Sequence, residues 1–93
     1  MTVGLLSVEL FIPEAHSLKE KRMVLRRVKD RLGRLNVSVA EVAHQELWQR
    51  AGLGIAAVAT DDAAAEQVLT AALDEIERIA PDLVTRSQVE YLR

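Results

Sequence analysis

The hydrophobic period of this chain switches from two to 3.6 and back, and then does so a second time. That pattern restricts it to the order strand, helix, strand, strand, helix, strand. Across residues 3–12, Leu6, Val8, Leu10 and Ile12 alternate with Leu5, Ser7, Glu9 and Phe11; the first set is wholly apolar and the second mixed. This reads as a central strand with one face on a core. Pro13 stops it. Ser17-Leu18-Lys19-Glu20 is then a capping box, in which Ser17 accepts from the Glu20 amide and Glu20 reaches back, so a helix is predicted over 18–35. At about 100° per residue, Leu18, Val24, Leu25, Val28, Leu32 and Leu35 fall within an arc of about 120°, the core stripe.

Residues 36–44 read as a second strand that loses phase at Ala40-Glu41-Val42, where a bulge is expected. A connection over 45–52 leads to a third strand over 53–60, short and apolar enough to be central. Asp61 and Asp62 cap a second helix, predicted over 62–80, whose inner face is Ala65, Val68, Leu69, Ala72, Leu73, Ile76 and Ile79; Pro81 ends it. The last strand, 83–92, is more polar and belongs at an edge. This is the split βαβ arrangement: one ferredoxin-like α+β domain over residues 1–93, a βαββαβ sandwich with both helices on one face of a four-stranded antiparallel sheet. Strands one and three take the centre. The other sheet face, with Leu5, Ser7, Glu9 and Phe11, is left open and is too apolar for plain solvent surface, so burial against another copy or a partner is expected.

The total charge of −2 conceals an asymmetry. Between His16 and Asn36, eight Lys or Arg face only Glu20 and Asp30, a net of +6 that leaves −8 on the remainder. Lys19, Arg22, Arg26, Arg27, Lys29, Arg31 and Arg34 project opposite the core stripe, and Lys21 alone leaves on the apolar side. Lys19, Arg22, Arg26 and Lys29 recur at i, i+3, i+7 and i+10, while Arg27, Arg31 and Arg34 form a second row, a spacing suited to tracking phosphates. A sheet-face reader of RNA needs aromatic platforms on strands one and three, and strand three has none. Contact with nucleic acid is therefore expected through the helix, led by charge and shape.

The topology gathers a second set of residues at one end of the domain: His16, Ser17 and Lys21 at the helix start, with His44, Trp48 and Arg50 from the loop after strand two. A helix N-terminus there suits an anion, although Ser17 and Glu20 already satisfy its amides. Trp48 fits core packing, a second subunit or a ligand ring. The two histidines lack the spacing of a metal motif, a strand places Glu41 and His44 on opposite faces, and no cofactor or metal is expected. Without Cys there is neither disulfide nor thiolate chemistry. The apolar start of the chain lacks a basic lead-in and carries Glu9, so a cytoplasmic protein without a membrane segment is expected.

Ser17-Leu18-Lys19-Glu20-Lys21-Arg22, the stretch from Asn36 to Val42, and His44-Gln45-Glu46-Leu47-Trp48-Gln49-Arg50-Ala51 together resemble the YlxP-like family of small bacterial proteins over nearly the whole chain. Glu46 stands where relatives often carry Asp. The resemblance implies a ferredoxin-like fold and, from the family's gene neighbourhood among transcription, translation-initiation and ribosome-maturation factors, a role near RNA; it implies no catalytic residues. The leading expectation is a non-enzymatic module that binds RNA or a ribosomal subunit through the basic helix. A protein-binding or self-assembling module using the open sheet face comes second, and an enzyme or small-anion binder at the helix N-terminal end third.

Overall fold

Leu6, Val8 and Leu10 are each 1% exposed while Ser7 and Phe11 face outward, so the alternation of the first strand is carried directly into the structure. The computed structural model describes residues 1–92. Its elements are β1 (Thr2–Phe11), α1 (Leu18–Leu32), β2 (Ser38–Ala43), β3 (Arg50–Ala59), α2 (Asp62–Ile79) and β4 (Val84–Leu92). The sheet order is β2-β3-β1-β4, every neighbouring pair antiparallel. The fold is thus the ferredoxin-like βαββαβ sandwich, with β1 and β3 at the centre.

Leu25, Val28 and Leu32 of α1 and Leu69, Ala72 and Ile76 of α2 close the core over Leu6, Val8, Leu10, Leu53 and Ile55. Close packing of α2 depends on Gly4, because a Cβ there would stand 2.8 Å from Leu69 Cδ1 and 3.3 Å from Ala65 Cβ. Both helices start at side-chain caps: Ser17 Oγ accepts from the Glu20 amide at 3.1 Å, and Asp61 Oδ1 from the Ala64 amide at 2.8 Å. Glu20 reaches back one residue beyond the cap, accepting from the His16 amide at 3.2 Å.

Two boundaries differ by three residues from the sequence-based expectation. α1 ends at Leu32 rather than 35, because after Gly33 the amides of Arg34 and Leu35 bond three residues back, to Arg31 and Leu32. These tighter turns carry Leu35 and Val37 onto the core and leave Arg34 outside the helix. β3 begins at Arg50 rather than 53, since the long central β1 supplies partners for Arg50, Ala51 and Gly52 in Phe11, Leu10 and Glu9. Small residues with weak strand preference are held there by pairing. The expected irregularity in β2 is present, as the register with β3 shifts between Glu41 and Ala43.

Candidate nucleic-acid interface

Helical geometry divides the basic residues of the α1 region into two groups. Lys19, Arg22, Arg26 and Lys29 fall within an arc of about 80°. They are all exposed, on the flank of α1 that faces away from α2. Among the described residues no carboxylate lies within 4.0 Å of any of the four. Arg27, Arg31 and Arg34 lie on the other flank, towards α2. Arg31 Nη1 is 3.4 Å from Glu75 Oε2, and Arg78 Nη1 is 2.7 Å from Glu75 Oε1. With Asp30, these arginines line a cleft of about 460 Å³ in which Ile79 is the apolar member.

The residues expected at the helix N-terminal end are brought together at that end, but not around one pocket. Lys21 is 1% exposed, and its ammonium lies among Glu41 Oε2 and the carbonyl oxygens of His44, Gln45 and Arg50. Three carbonyl acceptors match the three protons of the ammonium, and Glu41 supplies the countercharge, so none is left for a surface anion. His44 adopts φ 62°, a left-handed conformation that turns the chain after β2. Its Nε2 lies 3.2 and 3.4 Å from the two oxygens of Glu9, a β1 residue of the open face. Glu41, paired in register with buried Leu53, lies under the helices instead, so Glu41 and His44 do occupy opposite faces.

Trp48 is 53% exposed and, with Phe11, Leu47 and Arg50, lines a shallow hollow beside the sheet. His16 and Ser17 stay on the helix side, where the His16 amide and the Ser17 hydroxyl are used in capping. Glu41 as the partner of Lys21, Glu9 as the partner of His44, and Glu75 with Arg78 at the arginine cleft reach these positions from elements distant in sequence, which local patterning does not reveal. Among the described residues no three His, Cys, Asp or Glu side chains converge in a way that could hold a metal ion, and no helix is long and apolar enough to cross a membrane.

The open sheet face bears apolar and small residues together. Val3, Leu5, Ala56, Val58 and Leu92 occupy one end, and Phe11 the other. Between them Gly52 lies in a hollow lined by Ser7, Glu9, Val42 and Arg86. Gly52 is required, since a Cβ there would lie 2.7 Å from Ala43 Cβ.

Sheet order, helix placement and the uncovered face define a ferredoxin-like α+β protein with a basic helix on its covered side. The chain belongs to the family described as protein of unknown function (DUF503), which matches residues 3–89. It is 41% identical over 76 residues to the uncharacterized protein YlxP of Bacillus subtilis (strain 168), an alignment that covers 81% of this chain and 83% of that protein. Among solved structures it is similar to a de novo designed protein with ferredoxin fold, at TM-score 0.60 and 13% identity, over 99% of this chain and 83% of that one. It is also similar to a C-terminal segment of the alpha subunit of aIF2 from Pyrococcus abyssi, at TM-score 0.52 and 22% identity, over 100% of this chain and 49% of that one. At those identities the structural likenesses concern the fold alone.

Proposed function

We propose that this protein is a non-enzymatic, cytoplasmic RNA- or ribosome-associated module that engages phosphates through the outer flank of α1. The observation that carries this reading is the row of Lys19, Arg22, Arg26 and Lys29, exposed together and without carboxylate partners among the described residues. Four exposed cations spread over about 15 Å of helix suit successive phosphates and release condensed counterions on binding. Binding of this kind falls steeply with salt and depends little on base sequence. RNA binding measured across a salt series, with the row intact and then reversed in charge, tests it.

The open sheet face supports a second reading, self-association. Phe11, Val58 and Leu92 are 44, 60 and 63% exposed on that face, a distribution that favours cover by another protein surface. The two readings use opposite sides of the sandwich and are compatible in one molecule.

A further inference from the structure

We propose that the cleft between α1 and α2 is a binding site for the linked phosphates of a small phosphorylated molecule, held by Arg27 and Arg34 with Arg31 and Arg78 beside them. This inference does not rest on the RNA reading, because the two groups of cations lie on opposite flanks of α1.

Four arginines and Asp30 line one cleft of about 460 Å³, and Glu75 pairs with two of those arginines. Glu75 holds two of them, Arg31 at 3.4 Å and Arg78 at 2.7 Å, which fixes the α2 side of the cleft. Arg27 and Arg34 have no carboxylate within 4.0 Å among the described residues. Like charges gathered in one concavity repel, and an anion between them removes that penalty.

Side-chain chemistry sharpens the ligand class. Every cation of the cleft is Arg, whereas the outer row mixes two Lys with two Arg. The planar guanidinium fork pairs with phosphate oxygens two at a time, which a Lys ammonium does not. Arg27 and Arg34 are separated by five residues of α1 and two of the tight turn that follows it, about 10 Å between their Cα atoms at the rise of each. That exceeds the span of one phosphate and suits two or three in a chain. Ile79 is the apolar lining residue and no aromatic ring among the described residues borders the cleft, so they offer no surface for a base to stack on. Recognition is therefore of the phosphate chain and indifferent to any nucleoside attached to it.

Calorimetric titration of the full chain with inorganic triphosphate, orthophosphate, ATP and GTP tests the proposal. Triphosphate, ATP and GTP should bind with affinities within about threefold of each other, and orthophosphate at least about tenfold more weakly. The double variant R27A/R34A should lose at least about tenfold in triphosphate affinity, while R22A/R26A/K29A stays within about threefold of the parent. Absence of binding at millimolar triphosphate overturns the site, as does an equal loss in both variants, which would mean attraction to overall basicity. The substituted side chains are exposed, so an unchanged thermal melt verifies the fold of each variant. A fluorescent single-stranded RNA titrated in parallel separates the two proposals: triphosphate binding without RNA binding refutes the outer-row reading alone, and the reverse refutes the cleft alone.

Discussion

Lys21 Nζ lies 2.9 Å from Glu41 Oε2, joining the first turns of α1 to the edge strand β2 inside the protein. The same ammonium is 2.9, 3.2 and 3.3 Å from the carbonyl oxygens of His44, Gln45 and Arg50, and thereby fastens the loop that carries Trp48. Lys21 is 1% exposed and the Glu41 side chain 18%. Removing Lys21 leaves the Glu41 carboxylate and three carbonyls without a partner, which outweighs the desolvation saved.

Lys21→Met should therefore destabilise the protein by about 3–5 kcal/mol, read from the urea midpoint. Lys21→Met with Glu41→Leu should recover part of that loss, because the stranded carboxylate is gone while the carbonyls still lack a donor. A single variant within about 1 kcal/mol of the parent would show that the pair is not buried as described.

Gly52→Ala should cost about 1–3 kcal/mol, since the new Cβ would meet Ala43 Cβ at 2.7 Å across the strand pair and a Cβ has no rotamer by which to turn aside. Combining it with Ala43→Gly should restore most of the thermal midpoint. Failure of the second substitution to rescue the first would place the strain elsewhere.

Phe11→Glu should change the state of association and leave the thermal melt of the isolated domain nearly unchanged, because Phe11 is 44% exposed on the open face. Light scattering at micromolar concentration should give a mass above 10.3 kDa for the parent and that mass for the variant. A parent already at the monomer mass would remove the self-association reading.

Much of the architecture was legible because local signals agreed with the global fold. The alternation in β1, the cap at Ser17 and the phase loss near Glu41 each appear in the structure where the residues suggest them. The overshoot at the end of α1 arose from following Leu35 as a helical core residue; it reaches the core through two tight turns instead. Lys21 stood out as a charge on the apolar arc, but its meaning lay 20 residues away. Glu41 falls in phase with Val37 and Val39 on the inward side of β2, so two opposite charges both point to the core. Such a match is a readable sign of an internal ion pair, and it assigns Lys21 to the interior rather than to an anion site. The division of the basic residues was less legible, because Glu75 and Arg78 reach the α1 flank only through tertiary packing.

The most direct test of the account is RNA affinity as a function of salt. Fluorescence anisotropy of a labelled single-stranded RNA should give a log K that falls linearly with log salt for the parent. Neutralising three contacts in R22A/R26A/K29A should flatten that slope by about two units, and reversing them in R22E/R26E/K29E should abolish binding without lowering the melting temperature. Binding and slope unchanged in both variants would contradict the account and leave the outer flank of α1 a solvated surface.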